Sequence, residues 1–294
     1  MNKIVYNGLV FSDDGTGDGK LLDGSFYVEN SLAHDELSID TLKFSVISTS
    51  TDLLLPYGTE CTYYYNNSLF GKFYLVKASR VTKQEYNFEF QSSIGLLDDT
   101  NHYGGIYSGA FASDIIADVI GNTISYTIKP VFEKIKLYGW LPIDTRRANL
   151  QQVLFACGGC VKRNDEGDAY ITTLDTTTPK VIADNKIFDT GSITYDNNVT
   201  TVSITEHGFI KSDLTEKKQL FKGELIGSDF TTPKELSVTN ASLVTWDSPC
   251  YDITVNGTTL LESDVNYAVV TATASVEIYG KEYLHTESVI TKNK

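Results

Sequence analysis

Between Leu37 and Gly95 apolar residues return at every second position. Leu42, Phe44 and Val46 alternate with polar neighbours, Tyr86, Phe88 and Phe90 do the same, and Thr62-Tyr63-Tyr64-Tyr65 and Phe73-Tyr74-Leu75-Val76 are rich in rings and branched side chains. A period of two is that of a half-buried strand, because successive side chains point to opposite faces of a pleated sheet. Asn66-Asn67 reads as the tight turn between the second and third of these strands. Short strands at near-regular spacing predict a small antiparallel barrel or sandwich. The segment through Glu36 gives no comparable pattern, and its Ser12-Asp13-Asp14-Gly15-Thr16-Gly17-Asp18-Gly19 run has the composition of a mobile loop.

After Gly105 the period lengthens. Phe111 to Ile120 places Ile115, Ile116, Val119 and Ile120 on one helical face, with Ser113 as the expected cap and Gly121 as the stop. A second helix comes after Asp144 or Thr145 as cap, carries Leu150, Val153, Leu154 and Cys157 as its apolar stripe, and ends at Gly158-Gly159. Val161-Lys162-Arg163 and Ala169-Tyr170-Ile171 predict a hairpin around Asn164-Asp165-Glu166-Gly167. From Lys186 strands return: Ser192–Tyr195, Thr201–Ile204, Gln219–Phe221, Tyr251–Val255 and the long run from Tyr267 to Thr291, with Asn256-Gly257 as a hairpin signal.

One phrase occurs twice. Leu69-Phe70-Gly71-Lys72-Phe73-Tyr74-Leu75 runs on to Ser79, Val81, Thr82 and Lys83, and Ile278-Tyr279-Gly280-Lys281-Glu282-Tyr283-Leu284 runs on to Ser288, Ile290, Thr291 and Lys292, at one constant offset. This predicts one β unit built twice with other material between. The expected fold is mainly β (α+β), with two similar small antiparallel β-barrels flanking an α/β insert. The expected division is 1–105, an N-terminal segment and first tube-like barrel; 106–185, the insert with two helices; and 186–294, the second barrel.

The chain has 294 residues and a formal charge of −14, with only 24 Lys plus Arg. That balance argues against stable nucleic-acid binding, which draws its affinity from basic side chains that displace counterions. It suits a wall past which DNA slides, since a negative surface repels the polymer. Cys61, Cys157, Cys160 and Cys250 are too few and too unevenly spread for a disulfide framework, which fits synthesis in a reducing cytoplasm. The start of the chain lacks the apolar stretch of a secretory signal, and no window reaches the ~20 apolar residues of a membrane span. Asn-x-Ser/Thr sequons at Asn66, Asn198, Asn240 and Asn256 are what a turn-rich β chain produces by composition.

Candidate chemistry is sparse. Cys157-Gly158-Gly159-Cys160 has redox spacing, but a redox pair precedes a helix whose N-terminus lowers the thiol pKa, and here the helix comes first. No zinc set emerges from the spacing of the cysteines with His34, His102, His207 and His285. Asp14-x-Thr16-x-Asp18-Gly19 begins like a calcium loop, yet Ser25 stands where the bidentate carboxylate belongs. Gly15-Thr16-Gly17-Asp18-Gly19-Lys20 has the wrong spacing for a phosphate loop. No catalytic, cofactor-binding or metal-ligating residue is therefore assigned, and no cofactor is expected. Arg146-Arg147 at a helix start is unusual, because the positive end of the dipole disfavours cations; it reads either as solvated surface or as a contact with an acidic neighbouring subunit. Tyr138 and Trp140 read as core or interface.

Three segments resemble the baseplate hub and tail-tip proteins of tailed bacteriophages and related contractile injection systems. They are Phe70-Gly71-Lys72-Phe73-Tyr74 leading through Phe88-Glu89-Phe90 to Gly95-Leu96-Leu97-Asp98-Asp99; His102-Tyr103-Gly104-Gly105-Ile106-Tyr107-Ser108-Gly109 before an Ile-rich helix; and Gly139-Trp140-Leu141-Pro142-Ile143-Asp144-Thr145-Arg146-Arg147-Ala148-Asn149-Leu150-Gln151-Gln152-Val153-Leu154. The resemblance implies two barrels flanking an insert, a homotrimer whose six barrels form a pseudo-sixfold ring, a tail tube or distal tail protein on one side, a spike or fibre protein on the other, and a tape measure protein passing through. It implies a non-enzymatic virion protein of the tail or baseplate, assembled in the host cytoplasm, without membrane insertion of its own, that joins tube to spike and lines or plugs the ejection channel. Ending at Lys294, the chain reads as the bare hub. The alternatives are a distal tail or carbohydrate-binding β module, which would show an exposed aromatic cleft and no ring, and a cell-wall glycan hydrolase, which would need two carboxylates about 5–10 Å apart in a groove.

Overall fold

The structure is a computed structural model that describes residues 1–28, 36–50, 53–174, 200–213 and 215–293. It is mainly β, as the alternation and the Tyr, Thr and Val content predict. The expected strand Ser192–Tyr195, the expected boundary at 185/186, His34 and Asn198 lie outside the described residues.

Seven strands close a barrel: β1 (Lys3–Tyr6), β2 (Leu9–Ser12), β3 (Gly19–Tyr27), β4 (Thr41–Ser48), β5 (Glu60–Tyr65), β6 (Ser68–Arg80) and β7 (Glu85–Gln91), in the order β1-β2-β3-β4-β7-β6-β5 with β1 paired back to β5. All pairs are antiparallel except the short β2–β3 contact, Phe11↔Gly19 and Ser12↔Lys20. The N-terminal segment thus supplies three of the seven strands. Its first hairpin turns at Asn7-Gly8, both at positive φ (50° and 75°), the chemistry of a tight hairpin turn. The expected turn at Asn66-Asn67 has the same signature, with φ of 50° and 64°. Inside, Leu42, Phe44 and Val46 of β4 face Tyr86, Phe88 and Phe90 of β7 across the ladder, all buried. Tyr6 meets Phe88 and Phe90 edge-on, with ring centres 5.3 and 5.4 Å apart, and burial pushes its hydroxyl up to about 12. The Ser12–Gly19 run is held by its aspartates: Asp14 Oδ1 accepts from Ser12 Oγ (2.8 Å), Thr16 N (2.9 Å) and Thr16 Oγ1 (2.6 Å), while Asp18 Oδ2 accepts from Val10 N (2.9 Å). The hydrogen bonds from Thr16 and Ser12 hold the Asp14 carboxyl down at about 2.

The α/β part begins earlier than the change of texture at Gly105. After the short helix α1 (Ser93–Leu96), the long strand β8 (Asn101–Phe111) pairs with β10 (Lys136–Thr145) and takes the Gly104-Gly105 link into a sheet. Helix α2 (Ala112–Ile120) buries Ile115, Ile116, Val119 and Ile120 as predicted and stops at Gly121 (φ 56°). It starts just ahead of the expected Ser113 cap; Phe111 occupies the cap position and the Ala112 N–H donates to Ile135 O (2.8 Å). Helix α3 (Arg146–Cys157) is capped by Thr145, whose hydroxyl accepts from Ala148 N (3.2 Å), and closes on Gly158 in the left-handed region. Strand β9 (Tyr126–Ile128) lies beside the predicted hairpin of β11 (Gly159–Arg163) and β12 (Ala169–Thr173). Leu150, Val153 and Leu154 of α3 pack with α2, Phe132 and Ile171 into one core.

Past residue 200 run β13 (Thr201–Ile210), β14 (Lys218–Gly223), β15 (Ser228–Thr231), β16 (Ser237–Thr245), β17 (Cys250–Asn256), β18 (Leu260–Asp264), β19 (Tyr267–Thr271), β20 (Val276–Glu282) and β21 (Leu284–Asn293). They form a β14-β20-β17 sheet, a β15-β16-β19-β18 sheet and a β13-β21 ribbon. Val244, Ala268 and Val270 of the second sheet pack against Val276 and Ile278 of the first, and among the described residues no ladder closes them into a barrel. Asn256-Gly257 does not make the expected hairpin: β17 pairs with β20 and β18 with β19, so this turn passes the chain from one sheet to the other.

The repeated phrase is therefore local. Gly71 and Gly280 both sit in a strand with a neighbour on either side, β6 between β5 and β7, β20 between β14 and β17. The inward positions differ. Gly71, Phe73 and Leu75 are buried along β6, whereas Val276, Ile278 and Gly280 are buried along β20, which ends at Glu282 before the ribbon strand β21. The glycines are needed for different reasons. A Cβ at Gly71 would meet Arg163 Nη1 at 2.9 Å, and one at Gly280 would meet Ile253 Cδ1 at 2.7 Å and Leu220 Cδ1 at 2.8 Å. Among the described residues, no helix is long and apolar enough to cross a membrane.

Candidate functional site

Strands β13 and β21 pair without interruption from Thr201↔Asn293 to Ile210↔Leu284. Because side chains alternate, the pairing sorts them into two faces. One carries Val202, Ile204 and Ile210 of β13 with Leu284 and Ile290 of β21, each more than half exposed, interspersed with Glu206, Thr286, Ser288 and Lys292. The other carries His207 opposite Glu287 and Phe209 opposite His285. An apolar ribbon face of this kind is normally covered, since two strands alone are marginally stable in water.

At its inner end the polar face joins the α/β part. Phe209 packs on Trp140 with ring centres 5.5 Å apart, and Trp140 Nε1 donates to Asn266 Oδ1 (2.8 Å) in the loop between β18 and β19. Tyr138, Trp140, Gln152, His207 and Phe209 border a groove of about 540 Å³, with Tyr138 72% exposed. Of the two residues expected in core or interface, Tyr138 is a surface group and Trp140 a partly covered brace.

Arg146 and Arg147 find partners within the chain. Arg146 Nη1 donates to Val119 O (2.6 Å) and Asp118 O (3.3 Å), the last-turn carbonyls of α2, where a cation suits the negative end of the helix. Arg147 bridges Asp98 (2.8 Å) and Glu36 (2.9 Å) and donates to Leu37 O (2.8 Å), tying α3 to the segment that leads into the barrel. Their odd placement is thus accounted for by intramolecular docking. Arg163 does the same for the hairpin: its guanidinium lies over Phe26, Phe70 and Phe73, 5.2, 4.4 and 5.6 Å from the ring centres, 3.5 Å from Asp40.

Burial pushes the Cys157 and Cys160 thiols up, away from the reactive range, and Cys61 and Cys250 are buried. His102 is buried, with Nδ1 3.0 Å from Asn149 Nδ2 and Nε2 3.5 Å from Asp118 Oδ2; Tyr107 also donates to Asp118 (2.7 Å). These bonds, His102 first, hold the Asp118 carboxyl below its ordinary value. His207 and His285, 78 residues apart in sequence, come together on the ribbon with Nδ1 and Nε2 2.9 Å apart. Local spacing could not reveal that pair. Only His285-x-Glu287, two positions apart on a strand, hinted at a shared face.

No family model matches the chain, and no curated protein does. Among solved structures it is similar to the 43 kDa tail protein of prophage MuSo2 from Shewanella oneidensis (12% identity, 60% of this chain and 56% of that chain, TM-score 0.42). It is also similar to prophage tail protein gp18 from Listeria monocytogenes EGD-e (13%, 69% and 56%, TM-score 0.40) and to a tail protein from Neisseria meningitidis MC58 (11%, 74% and 62%, TM-score 0.44). The chain spans about 56–62% of the length of these proteins. At this identity and these scores the likeness gives no residue a role.

Proposed function

We propose that this chain is a non-enzymatic structural hub at the distal end of a phage tail or a related injection device. Three copies form a ring that meets the tail tube or a distal tail protein on one side and a spike or fibre protein on the other, and that lines or plugs the channel. The observation that carries this reading is the β13–β21 ribbon, whose apolar face, Val202, Ile204, Ile210, Leu284 and Ile290, has no cover within the described residues. A closed barrel needs no partner, whereas a projecting apolar ribbon with free edges invites one. The motif-level resemblance supports it as well: the Gly139–Leu154 stretch forms the β10–α3 corner, held by the Thr145 cap and both arginines. The charge of −14 suits a passage that does not retain DNA.

The test is native mass spectrometry of the protein, alone and mixed with tail-tube subunits, with each chain contributing 32.5 kDa. A three-copy species is expected, and it should disappear in an I204E/I290K variant, which keeps this cross-strand pair attractive while removing its apolar surface. A species other than three copies in the mixture, or a trimer indifferent to that variant, would contradict the reading.

A second reading, a carbohydrate-recognising β module, is favoured by the aromatic groove of Tyr138, Trp140 and Phe209. Quenching or blue shift of Trp140 fluorescence on adding cell-wall oligosaccharide, abolished in Tyr138→Ala, would support it; an unchanged spectrum would reject it.

A further inference from the structure

We propose that His207, His285 and Glu287 form a binding site for a divalent transition metal of the zinc class, clamping the two strands of the ribbon together. The three potential ligand atoms already form a compact triangle. His207 Nδ1 lies 2.9 Å from His285 Nε2 and 3.5 Å from Glu287 Oε1, and His285 Nε2 lies 3.8 Å from the same oxygen. Tetrahedral zinc, with bonds of about 2.0–2.2 Å, separates its ligand atoms by about 3.3–3.5 Å. The observed triangle has a circumradius of about 2.0 Å, so one point just off its plane stands at bonding distance from all three atoms.

The donor set suits such a metal. Two imidazoles and one carboxylate are ligands for zinc, nickel, cobalt or copper rather than for calcium or magnesium, which take oxygen. Three protein ligands leave a fourth position, open to water or to a donor from another molecule. The ribbon also positions the ligands. His207 stands opposite Glu287 in the ladder, and His285 is two residues before Glu287 on the same face. Phe209 stacks on the His285 ring at 5.0 Å and 13°, and Trp140 buttresses Phe209 from the α/β part, so the imidazole is oriented before any ion arrives. Without a metal, the two nitrogens lie at hydrogen-bonding distance, 2.9 Å apart.

The clamp answers a local need. Among the described residues the ribbon has no core of its own, and an ion held by residues from both strands closes a loop of 78 residues. The inference is independent of the hub reading, because it concerns one chain and its own strands.

The experiment is titration of the purified, metal-stripped full chain with Zn²⁺ by calorimetry and with Co²⁺ by visible absorption. One ion per chain is expected, with an intense tetrahedral cobalt band. His207→Ala and His285→Ala should each weaken binding at least tenfold and remove the band, and Glu287→Gln should weaken it severalfold. Cys157→Ser and Cys160→Ser serve as controls for a thiol site and should change nothing. Far-UV circular dichroism confirms that each variant keeps its fold; should His285→Ala lose the ribbon, the milder Glu287→Gln carries the test through its cobalt spectrum. Absence of a tetrahedral band in the wild type, or binding untouched by the histidine variants, would overturn the proposal.

Discussion

The first barrel and the β half after residue 200 are made of the same kinds of strand, yet they solve the edge problem differently. In the barrel, β1 pairs back to β5, so each of the seven strands has two neighbours, and the rings of Tyr6, Phe44, Phe88 and Phe90 fill the interior. In the second half, among the described residues, two open sheets share a small aliphatic core, and the last strand leaves them to build a ribbon with an exposed apolar face. The difference teaches that the local alternation of a strand says little about closure. Strands β6 and β20 have like phrases, but β6 turns back into β7 of the barrel while β20 runs out into the ribbon strand β21. One region closes on itself, and the other presents an apolar face that the described residues leave uncovered.

The largest expected contrast is between two truncations. Phe90→Ala removes a fully buried ring from the closed barrel and should cost about 3–5 kcal/mol in a urea titration. Ile290→Ala, on a residue 62% exposed, should change the stability of the isolated chain by less than about 0.5 kcal/mol while weakening its assembly. Equal losses in the two variants would erase the distinction.

The two glycines of the repeated phrase sharpen it next. Gly280→Ala must push apart Ile253 and Leu220 within the aliphatic core and should cost about 1–3 kcal/mol by chemical denaturation. Gly71→Ala displaces the end of the long Arg163 side chain and should cost less, about 1 kcal/mol, with the insert loosening from the barrel before the barrel opens. A like cost at both sites, with unfolding as one unit, would restore the idea of two equivalent halves.

Much of this was legible in the chain. The strands of β4 to β7, helices α2 and α3 and the β11–β12 hairpin come from period, caps and turn residues, because those signals are local. The Asn7-Gly8 turn was equally local, and it marks the hairpin that the composition of Ser12–Gly19 obscured. Closure of β1 on β5, the passage of the chain between sheets at Asn256-Gly257, and the meeting of His207 with His285 depend on pairing between distant segments, which no window of sequence contains. Arg146 and Arg147 were visible as an anomaly, but their partners on α2 and near Glu36 belong to tertiary packing.

Caps and charge have smaller effects. Thr145→Ala should cost about 1 kcal/mol and raise exchange of the first amides of α3, without touching the barrel. The Asp14 carboxyl, held at about 2 against an ordinary 3.8, favours the folded barrel fully above about pH 4, and this contribution fades as the pH falls towards about 2. Acid titration should therefore show a shallower stability loss between about pH 4 and 2 in Asp14→Asn than in the wild type. A parallel loss in the two proteins would remove Asp14 from the account of the β2–β3 turn.

The most direct measurement is amide hydrogen exchange of the wild-type chain over a range of protein concentrations. The account predicts that β4 and β7 are equally protected at every concentration, whereas protection of β13 and β21 rises as the chains associate. Ribbon amides as slow at the lowest concentration as at the highest, in a chain that stays monomeric, would contradict it.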